Sequence, residues 1–179
     1  VSWDTPIDIN PVVSEMFYRM GNHVGGIQGF IMRNIDNSLI QYIAGNSIAS
    51  SSTSTNAMLR NTISLTMIQS GYKTNIIPEK ATASLDIRLL PHVNPTDFLN
   101  ELATIINDDR IEFIPKRTPV NDFTSNWETD FFSILTEELI IEKSDAIVMP
   151  FMTIGGAYSQ FFQAKGVDFY GLIPILVAE

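Results

Sequence analysis

The most regular feature of the chain is an alternation of apolar and polar residues in two short runs. Over residues 62–67 the apolar positions are Ile63, Leu65 and Met67, and over residues 84–89 they are Leu85, Ile87 and Leu89. A period of two predicts β-strands with one apolar face, and two such runs close in sequence predict an antiparallel pair. The connection, residues 71–80, is too long for a two-residue turn, and its Pro78 cannot donate to a central ladder.

Apolar residues spaced three and four positions apart predict helices before this pair. One stripe predicts a helix over residues 10–24 that ends near Gly21 or Gly25-Gly26, and another predicts a helix over residues 39–44. Residues 50–55 are all Ser or Thr. We therefore expect a mobile loop there, in preference to a phosphorylated or ligand-binding segment.

A helix start signal follows the second run. Asn94 is a predicted N-cap, Pro95 the first helical residue and Asp97 an acidic residue in the first turn. The buried stripe of this helix is predicted to be Phe98, Leu99, Leu102, Ile105 and Ile106. Another strand is predicted over residues 111–114.

The pattern changes after Pro119. Ser125 and Glu128 have the spacing of a capping box, which predicts a helix over residues 127–143. A strand, a short helix and a strand are then predicted over residues 146–149, 158–164 and 167–173. Because this order is typical of a parallel unit, it indicates an α/β segment.

These patterns predict an α/β (α+β) chain with one domain over residues 1–118 and a partial one over residues 119–179. The start at Val1 suggests a piece of a longer protein. A net charge of −9 without a basic cluster argues against nucleic acid as a partner. No apolar run approaches the ~18–20 residues that cross a bilayer. The absence of Cys excludes disulfides and thiolate ligands but assigns no compartment.

Few residues could carry metal or catalytic chemistry. The only two histidines, His23 and His92, have no carboxylate at ligand spacing, so we expect neither to bind a metal. Glu137-Glu138 lies within the helix predicted over residues 127–143 and is expected to be a solvated face. The sequence therefore predicts no catalytic residue and no metal ligand in the chain.

Arg88 is the strongest candidate for contact with a substrate. It alternates with the apolar residues of its strand, and its guanidinium can donate two parallel N–H groups to a carboxylate. The amide of Asn75 can add a neutral donor. A second interpretation stays open, in which Arg88 pairs with Asp86 or with an acid on the neighbouring strand.

Four motifs occur in order along residues 55–174. They are Leu59-Arg60-Asn61-Thr62, Asn75-Ile76-Ile77-Pro78, Leu85-Asp86-Ile87-Arg88-Leu89-Leu90-Pro91, and Gly166-Val167 with Tyr170-Gly171. Together they resemble the zinc-dependent aminoacylase/carboxypeptidase family, in particular its carboxypeptidase S branch, which is related to carboxypeptidase G and succinyl-diaminopimelate desuccinylase. The resemblance implies a ferredoxin-like antiparallel lid domain over residues 1–118, without its first strand. Residues 119–179 would then return to an α/β catalytic domain.

The resemblance also implies roles for individual residues. Asn75 and Arg88 would reach from the lid to the terminal carboxylate of the substrate, in dimeric members across the subunit boundary. Gly155-Gly156 would form a substrate-binding turn. The parent protein would hold two zinc ions on ligands outside this chain, so the chain alone is expected to hold none and to be inactive. The implied reaction is hydrolysis of an amide next to a free carboxylate, in an N-acyl amino acid or at a peptide C-terminus, by a homodimer that associates through the lid.

One motif departs from the family pattern. The family turn usually reads Gly-Gly-Thr-Asp-Ser-Arg, whereas the chain has Ala157, Tyr158 and Gln160 after the two glycines. These changes remove a hydroxyl, a carboxylate and a guanidinium from the turn. The alternative function is therefore a non-catalytic ferredoxin-like association module in a degenerate member of the family.

Overall fold

The computed structural model describes residues 4–116, 124–155, 159–163 and 165–173, and the chain forms two compact units. One unit comprises Val1–Leu90 with Met149–Ile154, and the other comprises Pro91–Val148 with Gly155–Glu179. The boundary predicted after residue 118 falls within residues 117–123, outside the described part of the chain, and remains a prediction.

Helices and one antiparallel strand pair make up the described structure. The helices are α1 (Pro11–Val24), α2 (Gly26–Arg33), α3 (Ser38–Ile40), α4 (Asn46–Ala49), α5 (Thr53–Leu59), α6 (Pro95–Ile106), α7 (Asp130–Glu142) and α8 (Ser159–Gln163), with a π-helical turn (Gln41–Gly45) joining α3 to α4. The strands are β1 (Thr62–Ser70) and β2 (Ala81–Arg88). The predicted α+β class is confirmed.

Helix α1 confirms the helix predicted over residues 10–24. Asn10 caps it, because its Oδ1 accepts a hydrogen bond from the Val13 N–H at 3.0 Å. The Nδ2 of the same Asn10 side chain donates to the Met152 sulfur at 3.0 Å. The helix ends at Gly25, whose φ of 67° lies in the left-handed region that glycine adopts without steric cost.

The core of the first unit is built mainly from α1, α4 and α5. Its buried side chains are Val13, Met16, Phe17, Ile35, Ala49, Met58 and Leu59. Four partly buried methionines pack against it, namely Met20, Met32, Met149 and Met152. Because a methionine side chain is unbranched and flexible, it fills irregular gaps between helices.

Two glycines allow α1 and α2 to approach each other closely. A Cβ added at Gly29 would lie 2.3 Å from the Gly21 carbonyl oxygen, and one added at Gly21 would lie 2.7 Å from the Gly29 oxygen. Arg33 Nη1 also donates to the Gly21 carbonyl at 2.8 Å. The backbones therefore touch where a larger residue would force them apart.

Strands β1 and β2 form the predicted antiparallel pair. The ladder joins Thr62 to Arg88 at one end and Ser70 to Ala81 at the other, with a bulge between Leu65 and Met67. No residue between Thr62 and Arg88 belongs to the buried class. The hairpin therefore exposes both of its faces in this structure.

The bulge changes which side chains of β1 share a face. The pairs around it are Leu65 with Leu85, Met67 with Ser84, and Ile68 with Ala83. Because paired residues share a face and neighbouring residues of β2 point to opposite faces, Ile68 joins the apolar face and Met67 lies on the polar one. The expectation that Met67 shares the face of Leu65 is wrong.

Helix α6 begins as predicted, with Asn94 Oδ1 accepting hydrogen bonds from the first turn. Phe98 and Leu102 are buried. Ile106, expected in the buried stripe, is 37% exposed, because it is the last residue of the helix. The next residue, Asn107, has a left-handed φ of 47° that ends the helix.

The turn after α6 contains an exposed ion pair. Arg110 Nε and Nη2 donate to the two carboxylate oxygens of Asp108 at 2.9 and 2.7 Å. These hydrogen bonds, together with one from the Arg110 backbone N–H, lower the pKa of Asp108 from 3.8 to about 2.

Two helix starts differ from expectation because each is set by a hydroxyl cap that the sequence pattern did not predict. The loop expected over residues 50–55 ends early, since Ser52 Oγ accepts from the Thr55 N–H at 3.0 Å and α5 begins at Thr53. Helix α7 is capped by Thr129, whose Oγ1 accepts from the Phe132 N–H at 3.2 Å. The capping box predicted at Ser125 is therefore wrong.

The strands predicted over residues 111–114, 146–149 and 167–173 are not formed in the described residues, whose only ladder joins β1 and β2. A strand requires a neighbour for its backbone N–H and C=O groups. Ser125 supplies a substitute at one of these segments, because its Oγ accepts from the Phe169 N–H at 2.8 Å and donates to the Phe169 carbonyl at 2.9 Å.

We predict that Gly29→Ala lowers the free energy of unfolding of the 179-residue chain by about 1–3 kcal/mol, because the added Cβ must push the two helix backbones apart. Urea denaturation measures the loss. The control is Gly171→Ala, where an added Cβ meets no atom within 4 Å and should change stability by less than ~0.5 kcal/mol. Equal effects of the two variants would show that the helix crossing is not the cause.

Candidate functional site

Arg88 lies at the end of β2 on the polar face of the hairpin. Its Nε donates to Asp86 Oδ2 at 3.2 Å, and the two side chains are 54% and 52% exposed. Its Nη1 donates to the Ile154 carbonyl oxygen at 3.0 Å. The pairing with Asp86 that the sequence left open is thus present in the structure, while carboxylate binding by Arg88 remains a prediction.

The polar face around Arg88 is wide and accessible. Thr62 lies directly opposite Arg88, and Ser64 lies opposite Asp86. An exposed ion pair contributes little to stability because water screens it. A carboxylate that arrives at this face can therefore reach the guanidinium without breaking a buried interaction.

Asn75 lies in a turn of the connection between β1 and β2, and it is exposed. This connection joins the strands at the Ser70–Ala81 end of the ladder, whereas Arg88 lies at the Thr62 end. Arg88 is seven residue steps along the strand from Ala81, which corresponds to about 23 Å. The two predicted substrate contacts are therefore at opposite ends of the same hairpin.

Of the two glycines predicted to bind substrate, Gly155 is described and Gly156 lies outside the described residues. Gly155 is exposed, and an added Cβ would meet no atom within 4 Å. It directly follows Ile154, the residue whose carbonyl accepts from Arg88. Substrate binding by Gly155 and Gly156 remains a prediction.

The second unit contains a polar cluster that the sequence did not predict. Tyr170 Oη donates to the Asn126 carbonyl oxygen and lies 2.9 Å from Thr129 Oγ1, while Asp168 Oδ1 accepts from the Asn126 N–H at 2.8 Å. An open depression of about 380 Å³ lies beside it, lined by Thr129, Phe131, Asp168 and Tyr170. Its hydrogen-bonded residues lie more than 40 positions apart in the sequence, so no local motif predicts the cluster.

The described residues contain no group of three or more His, Cys, Asp or Glu side chains placed to hold a metal ion. Glu137 and Glu138 lie exposed on α7. Among the helices of the described part of the chain, none has the length and apolar character needed to cross a membrane.

Comparison with models of known protein families identifies the family of the chain. The model of the peptidase dimerisation domain matches residues 17–113, more than half of the chain. The chain therefore belongs to the M20 peptidase dimerisation domain family, which confirms the resemblance seen in its motifs. This domain is ferredoxin-like, in agreement with the fold class expected for the lid.

Individual relatives agree with this family. The chain is 26% identical over 126 residues to "Probable carboxypeptidase S-like 2" of Dictyostelium discoideum, covering 68% of the chain and 24% of that protein. It is 29% identical over 134 residues to "N-fatty-acyl-amino acid synthase/hydrolase PM20D1" of Xenopus tropicalis, with coverages of 72% and 25%. The human protein of the same name is 27% identical over 126 residues, with coverages of 69% and 25%. The chain spans about a quarter of the length of these relatives, and no solved structure matches it significantly.

Proposed function

We propose that the chain is the substrate-gripping and dimerising part of a zinc-dependent hydrolase that cleaves an amide next to a free carboxylate. The match to a peptidase dimerisation domain carries this proposal. The names of the relatives support the substrate class, because a carboxypeptidase and an N-fatty-acyl-amino acid hydrolase both act on an amide whose amine part is an amino acid. The substrate is thus an N-acyl amino acid or a peptide with a free C-terminus.

Arg88 is the proposed carboxylate-binding residue. Its guanidinium is accessible on the polar face, and charge-assisted bidentate bonds to a carboxylate are among the strongest hydrogen bonds in proteins. Asn75 adds a neutral donor. Because these two residues lie at opposite ends of one hairpin, we propose that a single carboxylate is held by Arg88 of one chain and Asn75 of a second.

Metal chemistry is proposed for the parent protein outside this chain. The described residues do not offer a ligand set for the two zinc ions that the family resemblance implies. We therefore derive no catalytic step from this chain, whose own residues bind and orient the substrate. The relatives are about three times as long as the chain, which leaves ample sequence for the ligands.

Dimerisation is proposed to use the apolar face of the hairpin. Leu65, Ile68 and Leu85 on this face are 56%, 67% and 40% exposed. Exposed apolar faces of this kind mark association surfaces. A second copy of the chain is the proposed occupant, because the matching family is defined by dimerisation.

The second candidate function is a non-catalytic association module. Ala157, Tyr158 and Gln160 favour it, because they replace the polar residues of the family turn. Both functions predict dimers. The zinc content and the hydrolase activity of the full-length protein separate them.

We predict that Ile68→Lys weakens self-association of the chain by roughly tenfold or more. Burying an isoleucine contributes about 1.5–3 kcal/mol, and every 1.4 kcal/mol is a factor of ten in affinity. Sedimentation velocity over a concentration series measures the change. Met67→Lys is the matched control, since Met67 is similarly exposed, at 53%, but lies on the polar face. A monomeric wild-type chain, or equal losses in both variants, would contradict the proposed interface.

We predict that Arg88→Ala in the full-length parent lowers kcat/KM for a free-acid substrate by about 30- to 1000-fold, equivalent to about 2–4 kcal/mol. Arg88→Lys should recover only part, because an ammonium keeps the charge but not the two parallel donors. Asn75→Ala should lose less. Arg110→Ala is the control, since it removes an exposed guanidinium from a turn outside the hairpin.

Two further measurements test how the terminal carboxylate of the substrate is bound. On the amidated form of the substrate the wild type should already be poor, and Arg88→Ala should change little. Mixing the Arg88→Ala and Asn75→Ala proteins should restore activity if the grip is formed by two chains, because one of the two sites in each mixed dimer is then intact. Equal losses on acid and amide substrates would make Arg88 a structural residue.

We predict that the isolated 179-residue chain holds no stoichiometric zinc and hydrolyses no N-acyl amino acid, whereas the full-length protein holds about two zinc ions per chain, as two-metal sites require. Elemental analysis after dialysis against a weak chelator checks the metal content. Finding about two zinc ions on the isolated chain would contradict the assignment of the ligands to other parts of the parent.

A further inference from the structure

We propose that Asp86 is a positioning residue for the carboxylate-binding guanidinium of Arg88. This inference rests on the proposed function, in which Arg88 binds the substrate carboxylate. Asp86 holds Arg88 at Nε, at 3.2 Å, while the Ile154 carbonyl holds it at Nη1, at 3.0 Å. The guanidinium is therefore fixed at two atoms before any substrate arrives.

The strand geometry explains why Asp86 can do this. Residues two apart on a strand point to the same face, so Asp86 and Arg88 stand side by side on the polar face of β2. Their partners across the ladder, Ser64 and Thr62, carry short side chains, and Asp86 and Arg88 are both about half exposed. The only ion pair that the structure describes for Arg88 is the one with Asp86.

The two hydrogen bonds, one from Nε and one from Nη1, together fix the orientation of the guanidinium plane. An arginine side chain has five N–H donors, and the two described bonds use one at Nε and one at Nη1. The remaining donors at Nη1 and Nη2 can serve a carboxylate. A long side chain that is already oriented loses less conformational entropy when the ligand binds.

A competing role for Asp86 is less favoured by the geometry. If Asp86 acted as an internal substitute for the substrate, it should occupy two donors at the short distances typical of charge-assisted pairs, about 2.7–2.9 Å. It instead takes a single donor at 3.2 Å. Asp108 shows the contrasting arrangement, since it accepts from both Nε and Nη2 of Arg110 at 2.9 and 2.7 Å.

The test uses the full-length protein and a matched pair of substrates, an N-acyl amino acid and its amide. Asp86→Ala should raise KM for the acid by about 3- to 10-fold, the size expected for the loss of one orienting hydrogen bond, with a smaller effect on kcat. Asp86→Asn keeps an acceptor oxygen and should restore most of the loss. KM for the amide should not change. Asp108→Ala is the control, because it breaks an ion pair of the same Asp-x-Arg spacing in an exposed turn.

A measurement independent of turnover is the ¹⁵N NMR signal of the Arg88 Nε–H. Its hydrogen exchange with water should be faster in Asp86→Ala than in the wild type and close to the wild type in Asp86→Asn. A structural role alone would lower the melting temperature and raise KM for acid and amide equally.

The outcomes separate this inference from the proposed function. If Arg88→Ala discriminates acid from amide but Asp86→Ala leaves KM for the acid unchanged, the inference is wrong and the proposed function stands. If both Asp86 variants lower KM for the acid, Asp86 competes with the substrate and the inference is again wrong. If Arg88→Ala does not discriminate acid from amide, both are wrong.

Discussion

The register between β1 and β2 is the constraint on which the candidate site depends. The bulge between Leu65 and Met67 shifts the pairing by one residue, and such a shift moves every later side chain of β1 to the other face. One consequence is an apolar face that continues through Ile68. The pairs before the bulge, Thr62 with Arg88 and Ser64 with Asp86, set the polar face on which Asp86 and Arg88 lie next to each other.

The main elements could be predicted from periodicity because their signals are local. Alternation predicted β1 and β2, and the Asn-Pro start predicted α6, since each pattern is set by residues within one element. The bulge could not be predicted, because Thr66 is not the left-handed glycine that signals a G1 bulge in a sequence. Helix caps were harder to predict than the helices themselves. Ser52 and Thr129 lie among other hydroxyl residues that have the same capping chemistry.

The candidate site was predictable in its residue types but not in its geometry. The order of motifs singled out Arg88 and Asn75, whose contact with substrate stays a prediction. Their separation along the hairpin follows from the ladder, which no single motif contains. The bond from Arg88 to the Ile154 carbonyl could not be predicted either, because it joins residues 66 positions apart and involves a backbone atom that has no sequence signature.

The distribution of burial explains how a hairpin with two exposed faces keeps a defined position. Buried side chains lie in the helices that precede β1 and again at Leu90, directly after the hairpin. Asn61 joins the two strand ends, because its Oδ1 accepts from the Leu90 N–H at 2.8 Å while its carbonyl accepts from the Thr5 hydroxyl. The base of the hairpin is thus anchored in the core, and the distal connection is not. Arg88 lies at the anchored end of the hairpin and Asn75 at the far end, and this arrangement is the one that the proposed grip by two chains requires.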